Sequence, residues 1–105
     1  MKLIAVVTTV GSRTEAQAMA RALVERKLAA CAQIDAIKSF YTWDGAIQNA
    51  TEFRITCKTT DAQYAAVEAA IRELHSYDLP AIHSISLTDV YAPYAQWILD
   101  NSSGG

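Results

Sequence analysis

The sequence predicts a single α/β (α+β) domain with the element order βαββαβ and an added C-terminal helix. Apolar residues recur with the spacing of strands in some segments and with the spacing of helices in others. An Asp44-Gly45 dipeptide also suits a tight two-residue hairpin turn. The length of 105 residues allows one core and leaves no room for a second domain.

The first elements are predicted to be a strand and a helix. Residues 3–10 form a nearly continuous apolar run closed by Gly11, which is typical of an interior strand covered on both faces. Ser12 offers a capping hydroxyl for a first helix, whose apolar residues recur at helical spacing to about Lys27. From Leu28 the pattern returns to that of a strand.

The middle of the chain is predicted to be a long hairpin followed by a second helix. Two extended segments flank Asp44-Gly45, and on the return segment Phe53, Ile55 and Cys57 alternate with polar residues, so one face covers the core. Asp61 is expected to cap the second helix. The apolar stripe of that helix consists of Tyr64, Val67, Ile71 and Leu74.

The remaining residues complete the fold. His75 falls where the second helix ends, and after Pro80 the pattern indicates a last strand and a short amphipathic helix. Residues 101–105 are expected to form a flexible tail. Two right-handed crossovers on one antiparallel sheet give a ferredoxin-like βαββαβ sandwich with a long hairpin between its second and third strands.

Composition excludes several classes of protein. Hydrophobic residues make up 51% and charged residues 19%, as in ordinary globular domains. The net charge is -2 and basic residues form no run, so neither a nucleic-acid nor an anionic-membrane partner is expected. The chain has no stretch of membrane-spanning length, and its first apolar run is too short for a signal peptide, so we expect a cytoplasmic protein. Cys31 and Cys57 are isolated and expected to be reduced.

The predicted hairpin is too long for its own domain. Residues 29–43 in one straight strand would span roughly 50 Å, whereas a compact domain of this length has a diameter of about 33 Å. The overshooting part carries Phe40, Trp43 and Ile47, and an apolar strand edge of this kind needs a cover, for which another subunit is expected. A bend near residues 35–36 that folds the tip back is the alternative.

Short motifs along the chain together resemble the CutA family of divalent-cation tolerance proteins. They are Thr8-Thr9, Leu28-Ala29-Ala30-Cys31, Tyr41-x-Trp43-x-Gly45, Glu52, Lys58-Thr59, His75-x-Tyr77-x-x-Pro80 and Tyr94-x-x-Trp97. The resemblance covers nearly the whole chain and implies one domain over residues 1–105. It also implies a tight homotrimer, built like the PII regulators, in which hairpin arms pair between neighbours.

The same resemblance implies a cytoplasmic protein linked to copper and other divalent metals, with no enzymatic activity and no obligatory cofactor. Copper and zinc favour thiolate and imidazole ligands. We expect Cys31, His75 and Asp78 as metal ligands, brought together by the fold or between subunits because they show no ligand spacing in the sequence. The alternatives are a core thiol for Cys31 and, for His75, a helix-end imidazole bound to local carbonyls.

Aromatic and ionisable side chains are predicted to form the intersubunit cleft or interface. They are Tyr41, Trp43, Glu52, Lys58, Tyr77 and Trp97. The aromatic ones offer large contact area. Glu52 and Lys58 share one face of the third strand because their separation is even. Between subunits, a buried Glu52 carboxylate could pair with such a lysine or with a tyrosine hydroxyl, and a solvated strand face is equally open.

Two functions of different classes remain open. Known catalytic and phosphate-binding motifs do not occur, so no enzyme is expected. The leading hypothesis is a homotrimer that binds divalent metal, copper above all, in metal tolerance. The alternative is a PII-like trimer that binds a small metabolite in its intersubunit cleft, an anionic one if Arg13, Arg54 and Lys58 supply the charge, or that binds a protein partner.

Overall fold

The computed structural model describes residues 2–104, and Met1 and Gly105 lie outside the described part. The described chain is an α+β fold of four strands, three α-helices and one 3-10 turn. The strands are β1 (Leu3–Val10), β2 (Cys31–Trp43), β3 (Ala46–Thr60) and β4 (Ile82–Ser86). The helices are α1 (Arg13–Glu25), α2 (Tyr64–Leu74) and α3 (Ala92–Asp100), and the 3-10 turn Asp61–Gln63 precedes α2.

The strands form one antiparallel sheet in the order β2-β3-β1-β4. β1 lies inside the sheet, between β3 and β4, and nearly all of its residues are buried. A sheet in this order with helical crossovers after β1 and β3 is the ferredoxin-like arrangement. The predicted βαββαβ order with an added C-terminal helix is therefore confirmed.

The main core lies between the sheet and the first two helices. Met19 and Leu23 of α1 and Ile71 of α2 are at most 2% exposed and belong to one cluster with Val6 and Cys57 of the sheet. A second, smaller cluster joins Leu3, Ala30 and Ile98 of α3. Because side chains alternate along a strand, this second cluster lies on the opposite sheet face from the first.

The ends of the helices differ in part from the sequence prediction. Ser12 caps α1, since its hydroxyl accepts a hydrogen bond of 3.1 Å from the Glu15 amide. Lys27 lies past the end of α1 with a φ of 55°, in the left-handed region that ends helices. The prediction that Asp61 caps α2 is wrong: the 3-10 turn separates it from the helix, and its carboxylate accepts from the Lys2 amide at 3.2 Å.

The hairpin is straight and regular. β2 and β3 pair residue by residue from Cys31 opposite Lys58 to Trp43 opposite Ala46, so the alternative of a bend near residues 35–36 is wrong. Asp44 and Gly45 have φ angles of 50° and 76°, as a type I′ turn requires.

The part of the hairpin beyond the sheet is a two-stranded ribbon, called the arm below. Pairing between β1 and β3 ends at Val10 opposite Phe53, so residues 37–52 form the arm. The molecule measures 45 × 25 × 21 Å, which exceeds the diameter of about 33 Å expected of a compact domain. The predicted overshoot is confirmed.

The residues after α3 are docked rather than frayed. Ser102 is buried, with its hydroxyl donating to the Ile98 carbonyl, and the Gly104 amide donates to the Lys27 carbonyl at 2.8 Å. The expected flexible tail at 101–105 is thus corrected for residues 101–104, while Gly105 lies outside the described residues. Polar side chains here satisfy the last carbonyls of α3 instead of facing only water. None of the described helices is long and apolar enough to cross a membrane.

Candidate functional site

A cleft of about 640 Å³ opens where the arm leaves the sheet, between the arm and the loop that follows α2. Four of the six residues predicted for a cleft or interface line it. They are Tyr41, Trp43, Glu52 and Tyr77. Residues 39, 41, 43 and 52 share one face of the arm in the observed register. The volume is in the range of small-molecule sites.

A buried carboxylate and a tyrosine form the floor of this cleft. Glu52, at the base of the arm, is only 8% exposed, and its Oε2 accepts a hydrogen bond of 3.0 Å from the Tyr77 hydroxyl. Burial and then this bond raise the pKa of Tyr77 to about 12, so the phenol stays a proton donor near neutral pH. Within the chain the partner of Glu52 is a tyrosine hydroxyl, and the buried carboxylate does not lie on a solvated strand face. Lys58 bonds Gln33 instead.

The His75 ring holds the loop that carries Tyr77. Its Nδ1 accepts from the Tyr77 amide at 3.1 Å, so Nε2 carries the proton and donates to the Thr9 carbonyl at 2.8 Å. The next residue, Ser76, donates twice to the Glu15 carboxylate at 3.0 Å. His75 is therefore a helix-end imidazole, as the sequence alternative has it, but the carbonyl that it binds belongs to the distant strand β1 and not to its own helix, and both ring nitrogens are engaged.

The three expected metal ligands do not meet within one subunit. The half-buried Cys31 thiol lies 3.6 Å from the Tyr94 hydroxyl, beside Lys58, whereas His75 bonds Thr9, whose strand partner is Arg54. Those two positions are four residues apart along β3, a rise of about 13 Å. Asp78 is exposed at the cleft. Within residues 2–104 no group of three or more His, Cys, Asp and Glu side chains could hold a metal ion.

The second cysteine is inert. Cys57 is fully buried in the main core, and desolvation raises its pKa to about 12. A metal or an oxidant needs the thiolate form, which this environment disfavours. Of the two cysteines, Cys31 is the half-buried one.

The basic side chains near the site are engaged away from the cleft. Arg54 forms a two-point ion pair with Asp35 at 3.1 and 2.6 Å, and Arg13 lies over the Phe53 ring at 4.8 Å. Trp97, expected at the intersubunit cleft or interface, does not line this cleft; it stacks on Tyr94 of α3 and is 43% exposed. In the described chain no lysine or arginine lines the cleft, so its ionisable side chains are acids and tyrosines.

Sequence reasoning missed three polar residues that line the cleft, Thr9, Ser39 and Thr42. Alternation along β2 could have indicated Ser39, because alternate residues of a strand share a face and Ser39 is therefore on the same face as Tyr41 and Trp43. Thr9 could not be found this way, because the loop after α2 that brings Tyr77 over the end of β1 has no strand or helix periodicity from which its position could be predicted.

The fold and the cleft define a class: a ferredoxin-like α+β protein with an extended β2–β3 arm and an acidic, aromatic cleft at the base of that arm. A family model described as CutA1 divalent ion tolerance protein matches residues 4–101. The chain belongs to this family, as its sequence motifs predict.

Relatives cover nearly the whole chain. The divalent-cation tolerance protein CutA of Archaeoglobus fulgidus is 40% identical over 90 residues, which are 86% of this chain and 88% of the relative. The solved structure of the "periplasmic divalent cation tolerance protein CutA" from that organism has a TM-score of 0.94 at 36% identity, covering 96% of this chain and 99% of that one. CutA1 from Oryza sativa has a TM-score of 0.96 at 25% identity, covering 100% and 97%. The shared fold is thus confirmed.

Proposed function

We propose that this protein acts in divalent-cation tolerance as a homotrimer that holds copper or another divalent cation with side chains from more than one subunit. The arm is the observation that carries the proposal. Phe40 and Ile47 on it are 71% and 79% exposed, and Trp43 is about half exposed. Exposed apolar residues on an unpaired ribbon favour burial by another copy. Pairing of arms between neighbours would supply that burial.

The proposed metal ligands depend on which donor side chains are exposed and which are held by other hydrogen bonds. Cys31 is the accessible soft donor, and Asp78 is an exposed carboxylate. His75 positions Tyr77 and would lose a hydrogen bond on ligation. Because Cys31 and the His75–Asp78 loop lie apart in one subunit, a site with three or more ligands requires donors from several subunits.

The test is a titration of the purified protein with copper and zinc ions, alongside its oligomeric state by sedimentation. We expect a trimer, saturable binding and a large loss of affinity in Cys31→Ser. Cys57→Ala is the matched control, because that thiol is buried and protonated. A monomer, or binding unchanged in Cys31→Ser, contradicts the proposal.

The proposed role is one of binding rather than catalysis, in the cytoplasm. The engaged ring of His75 and the raised pKa values of Tyr77 and Cys57 leave these groups poorly suited to proton transfer or nucleophilic attack near neutral pH. Two free cysteines suit a reducing compartment.

A second candidate function is the binding of a small metabolite in the cleft at the base of the arm. The favouring observation is the cleft itself, with a buried carboxylate and aromatic walls. The basic residues that could pair with an anionic metabolite are engaged in contacts outside the cleft; they are Arg13, Arg54 and Lys58. Thermal shift measurements with charged and neutral small molecules test this candidate, and no shift with any of them contradicts it.

A further inference from the structure

We infer that the cleft at the base of the arm binds a small organic cation of the alkylammonium class, with the Glu52 carboxylate as its counter-charge. The inference deepens the second candidate function and rests on it. It differs from the metal proposal in ligand and in the residue that carries the counter-charge, and the two share only Asp78, which lines the cleft.

The first argument is that Glu52 is buried and forms no ion pair within residues 2–104. Its side chain is 8% exposed and accepts a hydrogen bond from Tyr77. The ion pairs formed within residues 2–104 use other carboxylates, those of Glu25, Glu73 and Asp35. A carboxylate taken out of water without a cation is unfavourable, and one neutral hydroxyl offsets only part of that cost. A cation in the cleft would supply the missing partner.

The walls of the cleft are the second argument. Tyr41, Trp43 and Tyr77 line it, and aromatic faces attract organic cations. Leu79 and Ala81 add apolar surface for an alkyl chain. An ammonium group beside Glu52 would thus combine a charge pair with apolar contact for the rest of the molecule.

Charge and size select the ligand class. No basic side chain of the described residues lines the cleft, and the exposed Asp78 adds a second carboxylate, so anions are disfavoured. A bare divalent ion needs several converging donors, and residues 2–104 hold no such group. A cleft of about 640 Å³ with apolar walls fits an organic cation better.

Binding to the full-length protein in its native assembly tests the inference. The probes are hexylammonium, hexan-1-ol and hexanoate, which share an alkyl chain and differ in charge, titrated by calorimetry at constant ionic strength. We expect saturable binding of hexylammonium, about tenfold or more tighter than hexanol, because only the ammonium pairs with the carboxylate. Hexanoate should not bind.

Two variants test whether the Glu52 carboxylate is the negative charge that hexylammonium binds. Glu52→Gln keeps an oxygen that can accept from Tyr77 and removes the charge, so hexylammonium affinity should fall about tenfold or more. Asp35→Asn removes a carboxylate from the same sheet face outside the cleft and should leave affinity unchanged. Circular dichroism checks the fold of both, and the probe series on the unaltered protein is decisive even if a variant unfolds.

Each other outcome overturns the inference in a distinguishable way. Equal affinity for hexanol and hexylammonium would leave the cleft as a ligand site of another class. No binding of any probe would remove the second candidate function as well. Absent binding together with loss of assembly in Glu52→Gln would assign the missing cation to a basic side chain of another copy.

Discussion

The hydrogen bond between Tyr77 and Glu52 predicts a measurable loss of stability in Tyr77→Phe. The substitution removes only the hydroxyl that donates to the Glu52 carboxylate at 3.0 Å and leaves that carboxylate buried without a partner. Hydrogen bonds to charged groups contribute about 1.5–3 kcal/mol. Because Tyr77 is itself 39% exposed, solvent screens part of this, and we expect a loss of about 1–2 kcal/mol.

Urea unfolding at fixed protein concentration measures this loss, and a double-mutant cycle assigns it to the pair. Tyr77→Phe should cost less in a Glu52→Gln background, since the charged acceptor is already gone. Tyr91→Phe is the control, because Tyr91 is 77% exposed. The reasoning is refuted if Tyr77→Phe and Tyr91→Phe unfold at the same urea concentration, or if the two effects at the pair simply add.

Three further predictions follow from burial and pKa. The pKa of Tyr77 is raised from 10.0 to about 12, so its share of stability is complete below pH 10 and is lost as the pH rises through 12. The pKa values of Tyr64 and Tyr94 are also raised, so phenolate absorbance should show several late-titrating tyrosines, one fewer in Tyr77→Phe. Leu23→Ala should cost about 2–5 kcal/mol in urea unfolding, because Leu23 is fully buried in the main core; a loss below 1 kcal/mol would contradict that packing. A thiol reagent should modify Cys31 in the folded protein and Cys57 only after unfolding, and Cys31→Ser should abolish the first reaction.

Most of the fold follows from local patterns. The position of β1 follows from its apolar run, and the turn at Asp44-Gly45 follows from the demand for positive φ at both residues. Alternation along the arm places Tyr41, Trp43 and Glu52 on one face, which is why these predicted residues meet in the cleft.

The failures involve partners that are distant in sequence. The docking of the C-terminal residues depends on the bond from the Gly104 amide to Lys27, and no neighbouring residue in the sequence indicates it. In the same way, Asp61 accepts from the distant Lys2 amide instead of capping α2. Ligand chemistry makes Cys31 and His75 candidate metal donors, but only the sheet register shows that they lie apart within one chain. The hydrogen bonds of the His75 ring likewise depend on the end of β1.

The two-residue turn determines the chemistry of a cleft that lies several residues away. β3 is anchored by its pairing with β1, so one extra residue in the turn would slide β2 of the arm relative to β3. Trp43 and Tyr41 would then exchange faces with Thr42 and Phe40, and Glu52 would lose these two aromatic neighbours while both remained in the sequence. The set of side chains that lines the cleft thus depends partly on the number of residues in the turn. An insertion at the tip of the arm would disrupt the cleft at its base.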